Sequence, residues 1–334
     1  VKKSGFEGAD EKKNGTTRTF TMNAGQNSGS RVKFAGSEEL GNDVVVGFHL
    51  ESGFKADTGI LEDTNNIFRR ESRLYVKTAF GTIHAGRFGA LDSGSGSVSI
   101  FGGDVAFSTG WGDTIMKTSK ILEGLTSRYD NSIAYQSPTF AGATLYLAHS
   151  FKNSSQIDAK DITKVVDDGA EGRPTANQYN GVGLKYANGP FNAAFVASQQ
   201  NYKNTTANVK NSKAFSLTAA YNFGVCKVAA EGQYFNMGRT DKALNKGWGA
   251  IVSVTAPVAG GNVLASVGYK DAKDIDDSAE KAKAWNAGLA YTYNFSKRTM
   301  FYAAAGYTEE KNEEPTITEK VKTTEVVAGL VHKF

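Results

Sequence analysis

The segment WNAGLAYTYNF, residues 285–295, carries the pattern that decides the fold. Trp285, Ala287, Leu289, Tyr291, Tyr293 and Phe295 fall on one parity; Asn286, Gly288, Ala290, Thr292 and Asn294 fall on the other. A period of two marks a β-strand with one apolar face. KAFSLTAAYNF (213–223) repeats it, with Phe215, Leu217, Ala219, Tyr221 and Phe223 on one side. In both segments aromatic residues gather at the end next to a short turn. Apolar faces with aromatics near the strand ends are what a lipid-facing barrel wall requires.

The alternation extends along the chain. Val44, Val46, Phe48 and Leu50 oppose His49 and Glu51; Tyr129, Ile133 and Tyr135 oppose Arg128, Asp130, Ser132 and Gln136. Paired segments meet at tight turns: 191–200 follows Asn188-Gly189-Pro190, 225–235 follows Gly224, 262–270 follows Ala259-Gly260-Gly261, and 299–308 follows Ser296-Lys297-Arg298. Between the pairs lie long polar loops. Seven short turns interleaved with seven long loops describe a membrane β-barrel with tight turns on the periplasmic side, a regularity that a soluble β-sandwich does not explain.

Bulk properties agree. Among 334 residues the formal net charge is +4, too mild and scattered to point to nucleic acid. Mean hydropathy is −0.37, which hides apolar faces that alternate with polar ones. No run of eighteen apolar residues exists, so no transmembrane helix is expected. The opening, VKKSGFEGADEKK, is polar and reads as loop rather than leader, compatible with a processed exported chain or a cytosolic one. A single cysteine, Cys226, excludes an intrachain disulfide and a cysteine metal cluster.

Residues 91–126, LDSGSGSVSIFGGDVAFSTGWGDTIMKTSKILEGLT, break the pattern. They have no period of two, and a loop this long inside a compact domain is usually functional or disordered. Disorder suits a segment carrying Ile100, Phe101, Val105, Phe107, Trp111, Ile115 and Met116 poorly. The expectation is a segment folded in and packed against the wall. About fifteen strands are visible, single-chain bacterial barrels have even numbers, and an unpaired edge is forbidden in lipid. A further strand is therefore expected before Val1, with residues 1–29 as extracellular loop and strand lead-in and 30–334 as barrel.

Several motifs carry a resemblance to the general trimeric porins of Gram-negative outer membranes. SGSRVKFAGSEELG with LESGF, SRLYVKTAFGTIHAGR, SRYDNSIAYQSPTFAG, YNFGV, APVAGG and the terminal GLVHKF with Phe334 resemble successive strands and turns of that family, from about residue 28 to 334. FGGDVAFS resembles its constriction loop. The resemblance implies an all-β, sixteen-stranded transmembrane antiparallel barrel, a homotrimer in the bacterial outer membrane among lipid and lipopolysaccharide, and passive diffusion of small hydrophilic solutes and ions. It implies no cofactor.

The family also implies a ladder of arginines facing the constriction loop. Arg31, Arg73 and Arg128 fall at matching motif positions, and Arg70 is a rival to Arg73 if the strand carries a bulge. Parity places Lys33 beside Arg31, and Glu71 and Lys77 with Arg73. Like charges about 6 Å apart at an effective dielectric constant of about 20 repel by roughly 3 kcal/mol, and arginine cannot shed its proton. A ladder is therefore functional unless each arginine pairs with an acid such as Glu51, Asp104 or Asp130. The loop positions that hold acids in enterobacterial relatives read Gly96 and Ile100 here; Asp104 and Asp113 remain, and Lys117 and Lys120 follow. A basic wall facing an acid-poor loop implies anion preference. Arg87 has outward parity and, by the resemblance, meets a neighbour's second loop carrying Glu62 and Asp63 or is an ordinary strand-end arginine.

Rival functions leave weaker traces. His49, His84, His149 and His332 lie on separate strands without metal-ligand spacing, which disfavours an enzyme. A substrate-specific channel needs a luminal track, for which Tyr146, Tyr179 and Phe235 are the inward candidates. An adhesin would use loops 152–176 and 309–322.

Overall fold

The computed structural model describes residues 2–7, 15–108, 111–112, 115, 118–123, 128–152, 176–202, 210–237 and 245–334. Met116, Asp113, Lys117 and nearly all of the loop 152–176 lie outside them.

Antiparallel strands form the wall, and the alternating segments of the sequence supply them. In chain order they are β1 (Lys2–Glu7), β2 (Gly15–Thr19), β3 (Arg31–Gly41), β4 (Val44–Gly53), β5 (Glu71–Thr78), β6 (Gly81–Gly89), β7 (Arg128–Gln136), β8 (Ala143–Ser150) and β9 (Gln178–Asn188). There follow β10 (Phe191–Asn201), β11 (Ser212–Asn222), β12 (Lys227–Asn236), β13 (Asn245–Val258), β14 (Gly261–Asp274), β15 (Lys281–Asn294), β16 (Thr299–Glu313) and β17 (Thr318–His332). From β3 to β17 each strand pairs with the next. These fifteen strands are the ones the alternation marks.

Residues 1–29 depart from the expected loop. β1 pairs with the distal half of β17, from Lys2 opposite Glu325 to Glu7 opposite Lys320, and β2 pairs with β1. An edge strand presents unpaired N–H and C=O groups, and this hairpin satisfies those of β17 on the loop side. No pairing joins β2 to β3 among the described residues. β3 is exposed on both faces, at the place where the expected additional strand would sit.

The second departure is strand length. Alternation of apolar and polar residues fades near 270 on β14 and 308 on β16, yet pairing continues to Asp274 and Glu313. The anticipated loop 309–322 is reduced to 314–317, because backbone pairing persists where both faces have turned polar.

The outward face is apolar: Val76 and Leu74 on β5, Ile83 on β6, Leu217 on β11, Val267 on β14 and Leu289 on β15 are all exposed. Two aromatic belts bound it. Tyr221, Phe223, Tyr293 and Phe295 lie at the short-turn end; Tyr234, Trp248, Tyr269 and Trp285 lie at the other. Ten residues separate Trp285 from Phe295, which at about 3.3 Å per residue and a tilt of about 40° spans roughly 25 Å, the height of an outer-membrane apolar band.

Leu289 lies midway between these belts. Leu289→Arg is expected to destabilise the barrel by about 2–4 kcal/mol. Equilibrium unfolding from phospholipid vesicles measures it.

Candidate functional site

The hydrophobic interior of this barrel is made by the loop between β6 and β7. Leu91, Val98, Phe101, Phe107, Trp111, Ile115, Ile121 and Leu122 are buried against the luminal wall residues Ala134, Tyr146, Val196, Ile251, Tyr302 and Ala304. Each such side chain contributes about 1.5–3 kcal/mol of gross burial. Trp111 packs edge-on between Phe107 and Tyr302, with ring centres 5.1 and 5.4 Å away.

Glycines in the wall make room for this packing. A Cβ at Gly89 would sit 1.5 Å from the Ser95 carbonyl oxygen, and one at Gly249 would sit 2.0 Å from that of Ile121. Gly306 meets Ile115 and Gly183 meets Ile100 in the same way. Polar side chains of the wall then hold the loop backbone. Glu71 accepts from the Ser97 N–H at 3.1 Å, Ser253 Oγ from Ala106 at 2.9 Å, Glu325 from Ile115 at 3.3 Å and Gln233 from Glu123 at 2.8 Å.

The described carboxylates of the loop turn towards the wall. Asp104 lies 3.6 Å from Lys227, Glu123 accepts from Lys270 at 3.0 Å, and Asp92 accepts from Ser198 Oγ at 2.6 Å. Burial pushes the Asp92 carboxyl above its ordinary range, against the donation from Ser198 and Tyr179. Lys120 pairs with Glu310 at 2.7 Å.

What remains on the opposite side of the loop is a cavity of about 430 Å³. Arg31, Arg70 and Arg128 line one side; Ser93, Ser95, Gly96, Ser108, Thr118 and Ser119 line the other. Glu51 binds Arg70 at 2.7 Å and Arg31 at 3.5 Å, and Glu62 binds Arg70 at 3.1 Å. Nε of Arg128 is buried with no hydrogen-bond partner among the described residues. The structure thus brings together three arginines and Glu51 from the residues singled out in sequence, with the loop's serines and glycines opposite.

The other candidates lie elsewhere. Arg73 does not line this cavity: its Nε donates to Glu71 at 2.7 Å, its Nη1 meets His84 Nδ1 at 2.6 Å, and its guanidinium lies over Tyr75. Arg70 takes its place because it lies one residue before β5, where its backbone N–H still donates to the Glu51 carbonyl of β4 at 3.2 Å but the strict parity of the strand has ended. Lys33 stands opposite Glu51 on exposed β3. Arg87 pairs with Asp130 and donates to the Arg69 carbonyl at 2.6 Å; it turns inward at a register shift between Gly86 and Phe88. Both Arg87 and Glu62 therefore have partners within their own chain. Tyr179 is buried and stacked on Tyr129 at 4.1 Å, and Tyr146 and Phe235 are also buried, so none forms an open luminal track. The histidines stay apart, and no group of three potential metal ligands occurs among the described residues. The receptors Gln233, Ser253 and Glu325 escaped sequence reading, and Glu71 was placed on the charged inward face without this role; the signal of the first three was a polar residue at inward parity.

Three outcomes test this geometry. Gly249→Ala is expected to push the loop from the wall and raise single-channel conductance in planar bilayers. Arg73→Gln, which strands buried Glu71, is expected to destabilise the protein by about 3–5 kcal/mol in equilibrium unfolding, with little change in ion selectivity. The raised Asp92 carboxyl favours its protonated form in the fold, so its stabilising contribution is full below the ordinary carboxylate range and is lost as pH rises through its elevated value. The unfolding midpoint in detergent is therefore expected to fall more steeply with rising pH in the parent protein than in Asp92→Asn.

Comparison with known proteins agrees with the architecture. A family model described as Gram-negative porin matches residues 4–313. An outer-membrane porin protein of Bordetella pertussis is 29% identical over 94% of this chain and 85% of its own length. Among solved structures, an anion-selective porin from Comamonas acidovorans superposes with a TM-score of 0.64 at 22% identity, covering 98% of this chain and 99% of that one. The trimer form of OmpT, an outer-membrane protein of Vibrio cholerae, gives 0.63 at 13% identity, covering 98% and 97%. With its lipid-facing wall, inward-folded loop and family match, the chain belongs to the Gram-negative porins and forms a diffusion pore in the outer membrane.

Proposed function

We propose that this pore prefers anions among the small hydrophilic solutes it passes, and that it works as a homotrimer without catalytic activity, embedded in outer-membrane lipid and lipopolysaccharide. The observation that carries the selectivity is the cavity in which Arg31, Arg70 and Arg128 face serines and glycines, while Asp92, Asp104 and Glu123 are engaged at the wall. Glu51 and Glu62 offset part of the arginine charge, which suits a weak to moderate preference rather than a tight binding site. Hydroxyl and backbone groups opposite the guanidiniums let an anion exchange hydration for transient contacts, and no carboxylate lines that side among the described residues. The anion-selective porin from Comamonas acidovorans shares the fold.

A unit charge about 5 Å from the permeation path in water is worth about 0.8 kcal/mol, a factor of about four in local anion concentration before screening. In planar bilayers under a KCl gradient, the reversal potential is expected to report anion preference. Arg70→Gln with Arg128→Gln is expected to move it towards zero; cation preference in the parent protein would overturn the assignment. Conductance steps in groups of three are expected from the trimer.

A further inference from the structure

His49 stands between the constriction loop and the arginine cluster. On β4 it shares inward parity with Glu51, and register sets it opposite Arg73 on β5. The side chain is buried, and its two ring nitrogens meet different neighbours. Nδ1 lies 2.9 Å from Ser97 Oγ on the loop and 3.5 Å from Glu71 Oε1. Nε2 is buried with no hydrogen-bond partner among the described residues. Glu51 Oε2 lies 3.7 Å from it. The other oxygen of that carboxylate holds Arg70 at 2.7 Å and Arg31 at 3.5 Å.

A proton on this ring changes the charge beside the cavity. A neutral imidazole leaves the arginines offset by Glu51 and Glu62. A protonated one donates from both nitrogens, presents a cation to Glu51 and adds a positive charge. Attachment of the loop survives either state, because the Ser97 hydroxyl can donate to a bare Nδ1 or accept from a protonated one. The groups around the ring are mixed in sign. Lys33, opposite Glu51 on β3, and Arg73 on β5 flank it as cations; Glu51 on β4 and Glu71 on β5 flank it as carboxylates. Arg31 and Arg70 reach it through Glu51, and His84 of β6 meets Arg73 Nη1 at 2.6 Å. From the loop the ring meets the Ser97 hydroxyl, while Asp92 is engaged by Ser198.

We propose that His49 is a specificity-determining residue of the pore: a proton bound there strengthens the anion preference, so that the channel selects anions more strongly as its surroundings acidify. The inference rests on the arginine cavity as the selective site and assigns its regulation. Two features single out this residue. Its free nitrogen lies beside the carboxylate that offsets two of the three cavity arginines, so its charge acts where the selectivity is set. Its other nitrogen holds the loop in both charge states, so selectivity changes without release of the loop. Imidazole is also the side chain that ordinarily changes charge between about pH 5 and 8.

The test is the reversal potential in planar bilayers under a KCl gradient, read at pH 8 and at pH 5. One unit charge about 10 Å from the permeation path in water raises local anion concentration about twofold and lowers that of cations by the same factor. The chloride-to-potassium permeability ratio of the parent protein is therefore expected to rise about fourfold before screening on going to pH 5. His49→Gln, which keeps a polar partner for Ser97, is expected to hold the ratio nearly level; any titration of Glu51 and Glu62 is common to both proteins. His84→Gln, which changes the other buried imidazole of the same wall, is expected to respond as the parent does. A level ratio in the parent, a response that persists in His49→Gln or vanishes in His84→Gln, or a larger conductance with weaker selectivity at pH 5 would overturn the role of His49. Cation preference of the parent at both pH values would instead overturn the anion assignment itself.

Discussion

A backbone that crosses hydrocarbon must pair every N–H and C=O with another backbone, and the remainder of this structure depends on that requirement. Antiparallel pairing of each strand with the next meets it along the wall from β3 to β17. Because side chains alternate across a strand, a wall that turns Leu217 and Leu289 to lipid must turn Thr218 and Ala290 inward. The lumen inherits small and polar residues as the counterpart of an apolar exterior. The β1–β2 hairpin on β17 shows the same requirement acting at the margin of the sheet.

Those small inward residues make the constriction possible. Gly89, Gly183, Gly249 and Gly306 let the loop approach the wall so closely that a methyl group would collide with it. The loop has two dissimilar sides in consequence. One is apolar and acidic, consumed by contacts with Tyr302, Ile251, Lys227 and Lys270; the other is serine and glycine, left facing Arg31, Arg70 and Arg128. Anchoring and selectivity are thereby linked. Drawing Asp92, Asp104 and Glu123 to the wall fastens the loop and also removes their negative charge from the arginine side.

Most of the wall was legible in the chain because period-two alternation is a local property. The inward packing of the described part of the loop after β6 was legible too, since Phe101, Phe107 and Trp111 are too apolar for solvent. The arginines were less legible. Parity separates inward from outward only within a strand, and Arg70 lies one residue before β5, whereas Arg87 lies at a register shift. Strand ends were equally obscure on β14–β17, where lysines and acids replace the apolar residues while hydrogen bonding continues.

Sequence by itself therefore determined an alternating β wall, its turn and loop sides, and a tucked segment with arginines available to face it. Only the tertiary structure decided which arginines meet the cavity and which are consumed. Arg73 is held by Glu71 and His84, contacts between residues brought together by register and side-chain packing. Charge pairing depends on distances across strands, and those distances exist only once the sheet has assembled.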